Sequence, residues 1–462
     1  MSGDNSQYHC PQGTPPMYKC QYRGSLYGHW SDGSNLPDTQ HDTYGRNLAT
    51  NGISAKCPPF DPTCSTHSPR IVVVAIGFSN WTKEMCGNQP TQNQDGTWEI
   101  SHQVPLPPKA SDLNCSLDDN IPPKSAAWSF INKAKINPDV NPSLVFVDCA
   151  EIGAVAGVWL DDHTNFPPHI NTGAYTNCNN ILARWPGGGI DPAEVQVVLL
   201  KNADSGETGA PNPLPLVELP SSGFSGCTGI VSTPYDACIL EEYLTQIAQN
   251  LLKDPPGDTY KVFSGVKQLF VHTRIDGHYA NPDPLVSPLN PEPHAYETGF
   301  AVKWLIQAQV DDVNTPGISH VFPGPLDYTT TPPEAPWMDW GAYMWASDTR
   351  IPCPHCPIPS VPQPNATPLT WQQQVAGPSY CVSGGSGLEC DFQAKSGSHT
   401  DNTHPSLCGR SKTSDEMMYF FCNSPYTKPW FTVAGGGCTA QHVPVPQDSC
   451  DGFGQGTDTT GD

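Results

Sequence analysis

A serine closing an apolar run and a histidine three residues after an aspartate are the features of this chain best suited to chemistry. The first lies in Gly77-Phe78-Ser79-Asn80, directly after Ile71-Val72-Val73-Val74-Ala75-Ile76. A hydroxyl on the turn leaving a buried strand is exposed and rigidly held, as a nucleophile for acyl transfer must be. The second lies in Asp401-Asn402-Thr403-His404-Pro405-Ser406, just ahead of a helical pattern. On one loop, Asp401 can fix the tautomer of His404 and stabilise its imidazolium, while the other ring nitrogen takes the proton of Ser79. Each stretch alone also has a plain structural reading. Ser79 suits a turn or helix cap, Asp401 or Thr403 a cap, and His404 a surface position.

Four short apolar runs must position these groups. They are Ile71–Ile76, Leu144–Val147 ending in Asp148, Val195–Leu200 ending in Lys201-Asn202, and Gln268–His272 ending in Thr273-Arg274. Such continuous β-branched runs suit strands buried on both faces. Between the third and fourth, Ile239, Leu240, Tyr243, Leu244, Ile247, Ala248, Leu251 and Leu252 form one helical stripe. A second helix is expected over Tyr296–Gln309, with Phe300, Trp304 and Leu305 inward, and a last one after Pro405 with Met417, Met418, Phe420 and Phe421 inward. Strands alternating with helices imply an α/β fold with a doubly wound, mainly parallel sheet, whose ligands gather at the carboxyl ends of the strands. Residues 1–68 read as a disulfide-stapled arm, 69–433 as the α/β domain, and 434–462 as a tail. The Pro-rich stretch 311–388 reads as an insertion or cover.

Composition narrows the class. Twenty-two Lys+Arg against 45 Asp+Glu give a net charge of −23 over 462 residues, which excludes electrostatic docking to nucleic acid or to an anionic membrane. Fifty-one Pro and 41 Gly exclude a helical bundle, while 37% hydrophobic residues and 12 Trp exclude a disordered chain. No apolar run approaches the ~20 residues of a membrane span. Met1-Ser2-Gly3-Asp4-Asn5 has neither the basic nor the apolar part of a signal peptide, so a secreted chain would have lost its leader. Eighteen cysteines, spread from Cys10 to Cys450, suit disulfides in an oxidising compartment. Cys353-Pro-His-Cys356 is the lone CxxC and lacks the second ligand pair of a zinc site, so a disulfide is favoured there. Asn80-Trp81-Thr82, Asn114-Cys115-Ser116 and Asn365-Ala366-Thr367 allow glycosylation. The chain reads as secreted, with no cofactor and no metal.

A first-strand GxSN together with a DxxHP before the last helix resembles the two ends of the SGNH (GDSL-like) hydrolase pattern, over about residues 69–433. More closely, the chain is similar to a poorly characterised group of secreted bacterial SGNH-like proteins. That likeness also rests on Leu26-Tyr27-Gly28, Val195–Lys201, Thr273-Arg274-Ile275, Leu289–Trp304, Ala335-Pro336-Trp337, Gly409-Arg410 and Lys428–Phe431. The Ser-Asn pair resembles that of carbohydrate acetylesterases of the sialate type. The resemblance implies a flavodoxin-like three-layer fold with Ser79 as nucleophile, His404 as general base and Asp401 orienting it. Gly153 and Asn202 become the oxyanion donors beside the backbone N–H of Ser79. The chain departs from the family where Glu151-Ile152-Gly153-Ala154 replaces paired small residues, and where Lys201-Asn202-Ala203-Asp204 lacks the usual Gly-x-Asn-Asp.

Arg274, Glu292, His294, Tyr296 and Glu297 crowd the exit of the fourth run, as a substrate pocket or as an ion-pair network shaping a loop. Asp161-Asp162-His163 lacks calcium-loop spacing and reads as a solvated loop. Trp337, Trp340, Tyr343 and Trp345 suit either a sugar platform or a cover for the core. The leading expectation is a secreted serine esterase acting on an acyl ester, an acetyl ester of a carbohydrate for preference. The rival is a catalytically inactive SGNH-like extracellular structural or glycan-binding protein, and a redox or metal protein built on Cys353 and Cys356 comes third.

Overall fold

The computed structural model describes residues 8–9, 21–22, 38–85, 91–92, 98–99, 129–151, 154–160, 174–185, 188–203, 236–252, 263–274, 276–277, 294–314, 325–342, 344–348, 369–371, 392–395, 399–405, 407–433 and 436–439. Five strands build its central sheet: β1 (Ile71–Gly77), β2 (Leu144–Asp148), β3 (Val195–Lys201), β4 (Gln268–His272) and β5 (Trp337–Trp340). Every pairing is parallel, and the order is β5-β4-β3-β1-β2. The first four strands are the four apolar runs. Every residue of β1, β3 and β4 is buried, as β-branched and leucine side chains are when helices cover both faces of a sheet.

The fifth strand lies inside the stretch expected to be a Pro-rich cover. Trp337-Met338-Asp339-Trp340 is a short edge strand with no β-branched residue, too brief for its two tryptophans to make a strand pattern. Its place comes from what packs on it. The helix α1 (Thr39–Asn47), in the N-terminal arm, lies against it. Gly45 meets the Trp337 indole so closely that a Cβ there would stand 2.1 Å from a ring carbon. His41 stacks on the same indole at 4.9 Å and its Nε2 donates to the Met338 carbonyl at 2.8 Å. Trp337 and Trp340 are thereby core residues, 1% and 3% exposed, and form no sugar platform. The side chain of Trp345, and Tyr343 altogether, lie outside the described residues.

Strand alternation divides the core in two. Val72, Val74, Ile76, Val198, Leu200, Leu269 and Val271 face helices α4 (Ala174–Ala183), α5 (Asp236–Asn250) and α6 (His294–Asn314). Ile71, Val73, Ala75, Val197, Leu199 and Phe270 face α2 (Ser79–Met85), α3 (Phe130–Ile136), α7 (Leu407–Asn423) and α8 (Lys428–Phe431). The stripe of α5 is buried as expected through Leu240, Leu244, Ile247, Ala248 and Leu251, and so are Met417, Met418, Phe420 and Phe421 of α7. Helix α6 exceeds its expected span at both ends. The two cores share the sheet, giving a doubly wound α/β fold.

Disulfides join Cys57 to Cys64, Cys149 to Cys178 and Cys422 to Cys438. Cys353, Cys356, Asn114 and Asn365 lie outside the described residues. Asn80 is 2% exposed beside the fully buried Trp81 and Thr82, so the folded chain offers no glycosylation site there.

Candidate active site

The sheet order reverses its sense of travel between β1 and β3, because the chain passes from β1 outward to β2 on one side and then to β3 on the other. Open parallel sheets bind ligands at such a switch point, in the crevice beyond the carboxyl ends. Ser79 follows β1 and Asn202 follows β3, and the strands are paired to their last residues, Gly77 opposite Lys201. The glycine in this turn is a requirement of that closeness. Gly77 has φ +153°, and a Cβ would stand 2.0 Å from the Lys201 carbonyl oxygen.

Ser79 is the first residue of α2 and is 8% exposed. Asn202 is 2% exposed; its Oδ1 accepts the Ala203 N–H at 2.9 Å, and its Nδ2 has no hydrogen-bond partner among the described residues. A buried NH₂ without an acceptor is costly in a finished core and is what an oxyanion donor needs before substrate arrives. Gly153 lies outside the described residues. Its neighbour Glu151 donates its backbone N–H to the Gly77 carbonyl at 3.1 Å, and the Trp159 indole N–H reaches the same oxygen at 3.3 Å. Burial pushes the Glu151 carboxyl up to about 7, against a hydrogen bond from Asn177. Burial likewise holds Asp148, the last residue of β2, well above the usual carboxylate range, although the Ala150 N–H opposes it.

Asp401 and His404 sit on a strand instead of the expected loop. Strands β6 (Phe392–Lys395) and β7 (His399–Pro405) form an antiparallel hairpin. In a regular strand, residues three apart point to opposite faces, which would separate this pair. The ladder is not regular here. It joins Phe392 to Pro405 and then Ala394 to Thr400, so residues 401–404 bulge opposite Gln393 alone. Bulges of this kind re-aim side chains and recur beside active sites. Strand β7 packs against α2, the helix that begins at Ser79. For Asp401 and His404 the backbone is described; their side chains lie outside the described part.

At the exit of β4, Arg274 is 3% exposed and donates its backbone N–H to Thr298 Oγ1 of α6 at 3.1 Å. Its guanidinium stands 5.4 Å from the centre of the Phe78 ring, one residue before Ser79. Arg274 is thus brought to the turn that leads into Ser79. His294, Tyr296 and Glu297 lie in the first turn of α6 with side chains outside the described part; Glu292 and Asp161-Asp162-His163 lie outside the described residues altogether.

Three buried polar side chains at these strand ends, Lys201, Glu84 and His272, carried no functional signal in the sequence. Lys201, the last residue of β3, places Nζ 2.5 Å from Glu84 Oε2 on α2, and both side chains are fully buried. Nζ also lies 3.3 Å from Met344 Sδ and 5.4 Å from the centre of the Trp81 ring. Burial raises the Glu84 carboxyl, while Lys201, Arg274 and Arg410 pull it down. In register with Lys201 is His272, the last residue of β4. Its Nδ1 accepts the Ala342 N–H at 2.9 Å, so Nε2 carries the proton, and Nε2 has no partner among the described residues. Burial, and then the charge of Lys201, keep this imidazole well below its usual range and therefore neutral. The available structural signal was a lysine and a histidine each ending an apolar buried strand, where a charge demands a buried countercharge.

Among the described residues, no group of three or more His, Cys, Asp or Glu side chains could hold a metal, and no helix is long and apolar enough to cross a membrane. No protein-family model, curated protein or solved structure matches the chain.

Proposed function

We propose that this chain is a secreted serine esterase of the SGNH (GDSL-like) kind, hydrolysing an acyl ester, with acetyl esters of carbohydrates as the substrate class to test first. The observation that carries this reading is the packing of β7, bearing Asp401 and His404, against α2, which begins at Ser79. Segments more than three hundred residues apart in sequence thereby meet beyond the carboxyl end of β1. The parallel order with its switch point between Ser79 and Asn202 supports the same reading.

The steps follow from the residue chemistry. Ser79 Oγ attacks the ester carbonyl as His404 takes its proton, and Asp401 steadies the imidazolium. The oxyanion is met by the Ser79 backbone N–H and by Asn202 Nδ2; one such donor is commonly worth ~10²–10³ in turnover. The C–O bond to the alcohol then breaks, the alcohol leaving with the proton held by His404. Water, deprotonated by His404, attacks the acyl carbon; the bond from that carbon to Ser79 Oγ breaks, His404 returns the proton to Oγ, and the acid leaves.

Hydrolysis of p-nitrophenyl acetate and labelling by a fluorophosphonate test it. Wild-type protein is expected to turn over the ester and to carry the label on Ser79, and Ser79→Ala to lose both. A second reading, an inactive extracellular scaffold or glycan-binding protein on the same fold, is favoured by the burial of Ser79. Unlabelled wild-type protein with no turnover across short and long acyl donors would leave that reading standing.

A further inference from the structure

Glu84 lies five residues after Ser79, and its surroundings link several of the segments described above. Its Oε2 holds Lys201, whose neighbour is Asn202. Its charge reaches Arg274 at the exit of β4 and Arg410 on α7. Arg410 in turn donates Nε–H to the Pro405 carbonyl at 3.1 Å, one residue beyond His404. The Glu84 carbonyl itself accepts from Ser414 Oγ of α7 at 3.4 Å. The carboxylate is fully buried, and Oε1 has no hydrogen-bond partner among the described residues.

We propose that Glu84 is a positioning residue, a single buried carboxylate that draws the exits of β1, β3 and β4 and the end of the β6–β7 hairpin onto one another. A buried ion pair is a poor source of net stability, since well-packed apolar groups of like volume do as well or better. What it supplies is a defined geometry. The Lys201 backbone is fixed against Gly77, and its ammonium is held by Glu84 beside Met344 and the Trp81 ring. Glu84 answers it from the first two turns of the helix that starts at Ser79. The spacing of Ser79 from Asn202 is therefore set by a charge contact at the level of the last sheet residues. The kinetic part of this proposal rests on the esterase reading; the structural part does not.

The test compares wild type with Glu84→Gln and with the double variant Glu84→Leu/Lys201→Met, which replaces both charges by apolar volume and keeps the question open where the single variant folds poorly. Amide hydrogen exchange is followed over residues 77–85, 200–203 and 407–412, alongside p-nitrophenyl acetate kinetics and the rate of fluorophosphonate labelling. The double variant is expected to melt near wild type, yet to lose exchange protection in all three segments together. Its kcat and labelling rate are expected to fall about tenfold or more, with KM within about twofold. Wild-type protection in those segments, or wild-type kcat in the double variant, overturns the proposal while leaving the esterase reading intact. Joint loss of protection in a protein whose wild type never labels supports Glu84 as the organiser and overturns the esterase reading instead.

Discussion

The two ends of the parallel sheet each carry a buried ion pair, and the two pairs are built differently. At the amino end, Arg70 precedes β1 and Glu194 precedes β3, with two N–O contacts of 2.9 Å. Their surroundings complete them: Arg70 donates also to the Gly189 carbonyl at 2.8 Å, and Glu194 Oε1 accepts the Asp191 N–H at 2.8 Å. At the carboxyl end, Lys201–Glu84 is buried more deeply, yet Glu84 Oε1, Asn202 Nδ2 and His272 Nε2 have no partner among the described residues. A fold finishes its polar contacts where they serve only stability and leaves donors and acceptors over where something else must bind. The Arg70–Glu194 pair is complete among the described residues, whereas the Lys201–Glu84 pair and its neighbours leave three polar atoms over, which fits the site proposed at that end.

Truncating one partner in each pair should expose this difference most strongly. Lys201→Met removes the only cation hydrogen-bonded to Glu84 among the described residues, leaving Arg274 and Arg410 to act on it through charge, and is expected to cost about 3–5 kcal/mol of unfolding free energy. Arg70→Met leaves Glu194 its Asp191 N–H and a little solvent, its side chain being 8% exposed, and should cost about 1–3 kcal/mol. Urea unfolding of both variants measures the gap. Equal losses would make the two ends alike and remove the ground for the distinction.

A smaller effect should appear as the pH dependence that Glu151, after the carboxyl end of β2, contributes. The Glu151 carboxyl is raised by burial to about 7, whereas in the unfolded chain it titrates near 4.5. Between those values the folded state holds a proton that the unfolded state has lost, so stability falls as pH rises from about 4.5 to about 7. The contribution is flat on either side of that window and amounts to about 3 kcal/mol at most. Glu151→Gln should flatten the corresponding part of the stability curve measured by urea melts between pH 4 and pH 8. A curve unchanged by the substitution would place the titrating group elsewhere.

The sequence made the framework legible because four strands are continuous apolar runs, and such runs have few other homes. The position of Ser79 and Asn202 beyond the strand ends was legible as well, since each follows one of those runs. Strand β5 was hidden because an edge strand of two tryptophans, a methionine and an aspartate owes its place to α1 and β4, not to its own pattern. The form of the Asp401–His404 segment was hidden for a related reason. A bulge is a property of two strands in register, and nothing in residues 399–405 announces that Gln393 will face four residues at once. The Glu84–Lys201 pair needed the fold to bring α2 over the end of β3. Its trace in the sequence was Lys201 closing an otherwise apolar strand.

The smallest expected effect separates the two ends by their disulfides. Cys57 follows Lys56, which bridges to Arg70 at the amino end, and Cys149 follows Asp148 at the carboxyl end. Sequence separations of 7 and 29 residues give chain-entropy contributions of about 2.4 and about 3.6 kcal/mol, a difference of about 1.2 kcal/mol. Replacing each pair by alanine and comparing urea midpoints measures it. If loop length alone governs, the Cys149–Cys178 variant loses that extra increment and keeps its fluorophosphonate labelling rate. A fall in labelling together with stability would show that tying Asp148 and Glu151 to α4 also holds the crevice in shape. That would extend the proposed site from β1 and β3 to β2.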